Sequence, residues 1–292
     1  MTDAQTTRAA FEADGFVVCR DVFSATQISA LQQHTDVLTD ADRAPAAAAP
    51  LLDFEATQLD GKPVVQRVRK PYEADPFFLE LARSPVILDL IKPLLGENIR
   101  LHHGKINVKA AVVGSPLEWH QDWAFIPHSN QSLAIVSILI DDCPAEKGPL
   151  QLLPGSHRGP LHQHHDADGF FVGAINPDEL DLSGAQAVTG AAGTLTIHHP
   201  LAVHGSDLNR GQGPRRMLFM EYAAADAWPL FYGVDWSEFN QRLVCGEPSP
   251  SVRMEANTVR MPHPTASDGQ GRIYDQQQRF TNKYFGAPGG RQ

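Results

Sequence analysis

From Ile99 onward the chain is cut into short apolar or alternating runs by glycine and proline, and this rhythm limits the fold more than any other feature. The runs cover 99–113, 133–140, 150–153, 193–198 and 217–222. Most are too short for the helices of a bundle, whereas a buried strand needs only about four to eight residues. Runs of this length with turn residues between them predict a β-sandwich or jelly roll.

The residues before Ile99 have a different texture. A helix is predicted from Ala4 to Ala13, stopped at Gly15 and followed by a short buried strand over Phe16–Cys19. Ser24 is placed to cap a second helix through Leu38, because its hydroxyl can accept from the free amides of the first turn. The low-complexity stretch 41–50 reads as a loop, since its prolines block a helix. Leu59-Asp60-Gly61-Lys62 carries hairpin-turn chemistry, and Pro76 to Leu95 reads as a helical pair ended by Gly96. With 292 residues the chain is expected to form a single domain. Its parts are a helix-rich support over 1–98, a core over 99–225 and an extension over 226–292. The tail from Pro248 is rich in Pro, Gly, Asn and Gln, which predicts irregular cover. Its aromatics Tyr274, Phe280, Tyr284 and Phe285 are available to pack on the body.

Charge narrows the partners. The formal net charge is -10, and no basic run is longer than Arg215-Arg216. That balance disfavours nucleic acid and anionic membranes and leaves a small-molecule substrate as the expected partner. No apolar stretch of about 18 residues exists, and Met1 to Ala13 lacks a signal-peptide pattern, so a cytoplasmic protein is expected, as monomer or homodimer. The three cysteines, Cys19, Cys143 and Cys245, are far apart and read as ordinary thiols.

Chemistry first shows in Trp119-His120-Gln121-Asp122-Trp123. On an extended segment residues i and i+2 share a face, so His120 and Asp122 can converge on one cation. A pair of this kind is weak evidence by itself in a chain with 13 histidines. A second feature adds to it: an apolar run from Gly193 leads through His198, His199 and Pro200 to His204-Gly205-Ser206. His204 is the natural third ligand, with His198 and His199 as competitors. Two histidines and one carboxylate on one face of an octahedron leave three positions for ligands, the arrangement of non-haem iron oxygenases, although zinc also accepts such donors. Arg215, 11 residues after His204, begins the run 217–222, and its guanidinium can grip a carboxylate bidentately. Ser206 can add a hydroxyl. Alternation sends only one of Arg215 and Arg216 inward.

These stretches resemble the phytanoyl-CoA dioxygenase (PhyH) family of iron(II) and 2-oxoglutarate oxygenases. The resemblance is carried by His120-Gln121-Asp122, by Gly148-Pro149-Leu150 with Pro154-Gly155-Ser156-His157-Arg158-Gly159, and by His199-Pro200 through His204-Gly205-Ser206 to Arg215. Asp14-Gly15-Phe16 also looks like the family's opening, so the likeness spans roughly residues 8 to 225. It implies a mainly β fold with flanking helices, built on a double-stranded β-helix of the jelly-roll or cupin-like kind. By the same resemblance His120, Asp122 and His204 bind iron(II), Arg215 and Ser206 bind 2-oxoglutarate, and dioxygen is the oxidant. Arg67, Asn107 and Lys109 are further candidates for anchoring the oxo acid.

The expected reaction is hydroxylation of an unactivated C–H bond in a small metabolite or natural-product intermediate, with release of succinate and CO2. Related halogenases replace the carboxylate ligand by a small residue, so Asp122 favours hydroxylation. Trp123, Phe125 and His128 are candidates for the substrate pocket, and the loop 157–171 is a candidate lid. Two other readings stay open at this level. One is a non-catalytic jelly-roll binding protein; the other is a metal-dependent cupin-type enzyme without 2-oxoglutarate, in which Arg215 would have no carboxylate to clamp.

Overall fold

A computed structural model describes residues 4–40, 42–111, 114–231, 234–261 and 273–286. Val112 and Val113, the end of the predicted run 99–113, lie outside the described residues. Two antiparallel sheets face each other, as the spacing of apolar runs requires. The strands are β1 (Phe16–Cys19), β2 (Leu52–Phe54), β3 (Val65–Arg69), β4 (Ile99–Lys109), β5 (Leu117–His120), β6 (Leu133–Leu139), β7 (Leu150–Leu152), β8 (Gln186–Val188), β9 (Leu195–His198), β10 (His204–Ser206), β11 (Arg215–Ala224) and β12 (Leu243–Cys245). The larger sheet runs in the order β1-β9-β6-β11-β4-β3-β2, with β12 also on β4, and the smaller in the order β5-β10-β7-β8. This is the mainly β, jelly-roll architecture with flanking helices that the sequence predicts.

The larger sheet is covered on its outer face by α1 (Ala4–Asp14), α2 (Ala25–Thr39), α3 (Pro71–Ala74), α4 (Phe77–Ala82) and α5 (Pro85–Leu95). The predicted punctuation holds. Ser24 and Gln27 form a reciprocal cap at the start of α2, and Gly96 ends α5 with φ +87, a conformation that costs glycine little. Val68, Phe78, Ile87, Ile91, Leu101, Ile106 and Leu218 pack between these helices and the sheet as the main core. β4 and β11 therefore bury an apolar row against the helices. The residues between those in each strand point the other way, between the sheets.

There the cross-strand register of β4 and β11 sets Lys109 opposite Arg215, Asn107 opposite Met217, Lys105 opposite Phe219 and His103 opposite Glu221. Arg67 on β3 lies opposite Asn107. Polar and charged side chains on an inner face are costly to bury unless they serve a site.

After β11 the chain forms α6 (Trp236–Gln241) and β12, and α7 (Ile273–Gln277) closes the far side of the molecule. Among the described residues, the tail from Pro248 is irregular apart from this short helix. Its aromatics pack on the body: Tyr274, Phe280 and Phe285 are buried.

Candidate active site

β5 and β10 pair so that His120 stands directly opposite His204, with ring centroids 4.1 Å apart. β5 ends at His120, and Asp122 opens a single 3-10 turn instead of continuing the strand. Gln121 between them is still extended, with φ -119 and ψ 127, so the same-face geometry survives the end of the strand. Ligand atoms of His120, Asp122 and His204 all lie within 4.8 Å of one another, and all three residues are buried.

The hydrogen bonds behind the histidines decide which nitrogen faces the others. His120 Nδ1 lies 2.7 Å from the Glu118 carbonyl, and His204 Nδ1 lies 2.9 Å from the Ala202 carbonyl. Each Nδ1 is thereby the donor, which leaves each Nε2 with its lone pair turned to Asp122. Burial pushes the His120 pKa well below the usual imidazole range, and burial first, then His198, takes His204 down to about 4. Both rings are thus held neutral, the state that binds a metal. Burial works against the charge of Asp122, but His204, His198 and Lys105 outweigh it and hold the carboxyl well below its ordinary range.

His198 stands outside the group formed by His120, Asp122 and His204. Its Nε2 lies 3.1 Å from Asp122 Oδ2, where it orients the carboxylate. His199 is further removed: it packs against the rings of Phe11 and His157, and its Nδ1 accepts from Leu201 N. Of the three histidines only His204 stands across from His120 and clusters with it and Asp122.

Arg215 is buried and points inward, while Arg216 turns out to Asp141 and Asp36 as alternation demands. Arg215 Nη2 donates to the Gly148 carbonyl at 2.6 Å, and its Nε has no hydrogen-bond partner among the described residues. Gly148 itself, with φ +62, packs closely on the chain after β10, where a Cβ would fall 2.3 Å from the Asp207 carbonyl oxygen. Lys109 Nζ donates to the carbonyls of Ser206 and Asp207, which draws the Lys109–Arg215 pair toward β10. Burial, then Arg215, lowers the Lys109 pKa well below the usual lysine range.

One cavity of about 330 Å³ joins these groups. His120, Asp122, His204, Ser206, Asn107, Lys109, Arg215 and Arg67 all line it, so the predicted metal and co-substrate candidates come together in one place. Asn107 Oδ1 is buried there without a hydrogen-bond partner.

The substrate candidates fare differently. Phe125 lines the cavity. Trp123 does not: it is buried with Leu133, Leu201 and Ala223, and its indole N–H donates to Thr258 O. His128 is also turned away, against His102 and the Ile126 carbonyl. Both follow Asp122 closely, but the 3-10 turn rotates Trp123 into the core, and after Phe125 and Ile126, which line the cavity, His128 is outside the lining. Loop 157–171 contributes no lining residue either. Its His164 Nε2 accepts from Gln121 N at 3.0 Å, and Gln121 in turn bonds Pro160 O, Leu201 O and His162 N. The loop thus braces the metal-ligand segment from behind and does not cover the pocket.

The structure adds residues that sequence reasoning passed over. Lys70, His103, Lys105, Glu221, Arg242 and Tyr274 all line the cavity. The inward alternation of β4 was the available signal for His103 and Lys105, four and two positions before Asn107. Tyr274 gave none, because it lies in a segment without periodicity.

Comparison with known proteins decides the family. Residues 11–217 match the family described as phytanoyl-CoA dioxygenase (PhyH). The chain belongs to the phytanoyl-CoA dioxygenase family. A Stutzerimonas stutzeri member named "Probable alpha-ketoglutarate-dependent hypophosphite dioxygenase" is 34% identical over 276 residues, covering 93% of this chain and 96% of that protein. The ectoine dioxygenase of Sphingopyxis alaskensis is 29% identical and covers 74% of both chains. Among solved structures, EctD from S. alaskensis with 2-oxoglutarate and 5-hydroxyectoine superposes with a TM-score of 0.64 at 26% identity, over 76% of each chain. This phytanoyl-CoA dioxygenase family member is a 2-oxoglutarate-dependent, non-haem iron dioxygenase whose cofactor and co-substrates are iron(II), 2-oxoglutarate and dioxygen. The class excludes the readings as a binding protein and as a cupin-type enzyme without 2-oxoglutarate.

Proposed function

We propose that His120, Asp122 and His204 hold the iron(II), that Arg215 with Ser206 and Lys109 takes the free carboxylate of 2-oxoglutarate, and that a small substrate is hydroxylated in the part of the cavity beyond the metal. The observation that carries the reading is the pair of Nδ1 contacts to backbone carbonyls, which leaves two neutral Nε2 atoms and one ionised carboxylate facing a common point. Donors of this kind fit iron(II), which supplies the oxidising chemistry with dioxygen once bound. The protein's own residues orient and enclose. His198 fixes Asp122, the Gly148 carbonyl fixes Arg215, and buried Trp119 and Trp123 fill the volume behind the ligands.

Asp122 keeps a carboxylate at the metal, which favours hydroxylation. The substrates named for the two relatives above, hypophosphite and ectoine, are small. A cavity of about 330 Å³ that must also seat 2-oxoglutarate suits a molecule of that size. The reading includes a cytoplasmic enzyme acting as monomer or homodimer.

The test is anaerobic addition of iron(II) and 2-oxoglutarate, followed by oxygen and quantification of succinate. Iron-dependent charge-transfer absorption with 2-oxoglutarate, lost in His204→Ala, is expected. Absence of both iron binding and 2-oxoglutarate binding would overturn the assignment.

A further inference from the structure

Tyr274 lines the cavity and is only 7% exposed, yet the fold gives its hydroxyl nothing to do. Among the described residues it belongs to none of the apolar core clusters. Phe280 and Phe285 from the same segment do, so its ring is not core packing of their kind. The Tyr274 hydroxyl has no hydrogen-bond partner among the described residues. A buried tyrosine usually finds one, because an unmade bond in the interior is costly.

The position of the side chain is set by α7. Gln277, one turn on from Tyr274, accepts from Glu118 N at 2.9 Å and donates to Gly173 O at 2.8 Å, which holds the helix against β5. Burial pushes the Tyr274 pKa up to about 12, against the pull of Arg67 and Arg215. The phenol thus keeps its proton and offers an O–H donor in the field of Arg215. The carboxylates that act on it are engaged elsewhere: Glu55 takes Gln66 and Ser115, and Asp53 takes Arg67.

The far carboxylate of a metal-chelated 2-oxoglutarate has about four acceptor positions. Arg215 already commits one N–H to Gly148 O, and Lys109 commits its ammonium to the carbonyls of Ser206 and Asp207. A carboxylate seated here has room for further donors, and Tyr274 is an uncommitted one in the same cavity.

We infer that the Tyr274 hydroxyl donates to the far carboxylate of 2-oxoglutarate beside Arg215, which makes α7 part of the co-substrate site. The inference rests on the co-substrate reading above. Tyr274 lies beyond residue 217, where the family match ends, so a segment outside the matched region supplies this contact.

The experiment compares Tyr274→Phe with the parent, both as anaerobic iron(II) enzymes. Phenylalanine keeps the ring and removes only the hydroxyl. 2-Oxoglutarate is titrated by its charge-transfer absorption and by calorimetry, oxalate by calorimetry, and iron(II) by chelator competition. Oxalate chelates the metal through both of its carboxylates and has no far one to be gripped. Tyr274→Phe is expected to raise the 2-oxoglutarate Kd about tenfold, as loss of a hydrogen bond to a charged group does, while the Kd values of oxalate and iron(II) stay within about twofold. An unchanged 2-oxoglutarate Kd would overturn the inference. So would an equal loss for oxalate or iron(II), which would make Tyr274 a general support of the site. Arg215→Ala separates the two readings. If it too leaves 2-oxoglutarate binding unchanged, the co-substrate reading fails; if it weakens binding and Tyr274→Phe does not, this inference alone fails.

Discussion

Two residues, His198 and Arg215, test the proposed metal and co-substrate sites. His198 touches Asp122 at 3.1 Å, and a carboxylate without such a partner is free to rotate away from its ligand position. His198→Ala is expected to weaken iron binding about 10- to 100-fold with secondary structure unchanged. His199→Ala, which removes the contact to Leu201 N and the packing on Phe11 and His157 but nothing at Asp122, should leave iron affinity close to that of the parent. A chelator-competition titration measures both, and equal effects would show that His198 has no special part. At the co-substrate end the buried guanidinium of Arg215 is matched by no carboxylate within salt-bridge distance among the described residues. Losing charge-assisted hydrogen bonds there costs about 1.5–3 kcal/mol, so Arg215→Ala should raise the 2-oxoglutarate Kd roughly 10- to 150-fold. A Kd that does not move would remove Arg215 from the clamp. Both predictions concern residues visible in the sequence. His198, however, could be told from His204 only by register, since spacing left both eligible.

At the scale of elements, the segment 273–286 acts as a strap across the two ligand-bearing strands. Gln277 Oε1 accepts from Glu118 N, and its Nε2 donates to Gly173 O. The Glu118 carboxylate accepts from the amides of Tyr284 and Phe285, while the Glu118 carbonyl fixes His120. Phe285 packs on Trp119 at 5.3 Å and seats on Gly205, where a Cβ would come 2.7 Å from its ring and 3.0 Å from the Leu117 carbonyl. Gly205→Ala must therefore displace either the strap or β5, and a cost of about 1–3 kcal/mol is expected. Hydrogen exchange in that variant should rise over 273–286 before it rises over β4 and β11, and an unchanged strap would mean that Phe285 does not depend on Gly205 for its seat. The strap was only half legible. Its aromatics were recognisable as packing groups, but nothing in an aperiodic, polar segment says which strand it crosses. The charged cavity wall, in which Arg67, Lys70, Lys105 and Arg242 each pair with a carboxylate, was hidden for a related reason. Its members at 67, 70, 105 and 242 are scattered along the chain, so a search for basic runs finds none. Only the pairing of β3, β4 and β11 brings Arg67 and Lys105 to one face, and the return of the chain through α6 adds Arg242.

For the whole molecule, the two sheets contribute different functions to one cavity. The proposed metal ligands come from β5, its following turn and β10, all in or beside the smaller sheet, whereas Arg215 and Lys109 come from β11 and β4 of the larger. Iron alone therefore ties together parts that are already hydrogen-bonded neighbours. A 2-oxoglutarate that binds the metal at one end and Arg215 at the other joins sheet to sheet. Any ligand that binds only the folded state stabilises it by mass action, about 2.7 kcal/mol at 100 times its Kd. What differs is where the stabilisation is felt. Iron(II) added anaerobically should slow amide exchange chiefly in 117–122 and 204–206. Further addition of 2-oxoglutarate should extend protection to 105–109 and 215–219 and raise the apparent Tm again. His120→Ala should abolish the first effect and most of the second, because the co-substrate then loses its anchor on the smaller sheet. Arg215→Ala should keep the first and lose the spread to the larger sheet. Protection of both sheets by iron alone would mean that the sheets are coupled through the core, and 2-oxoglutarate would then have no bridging role.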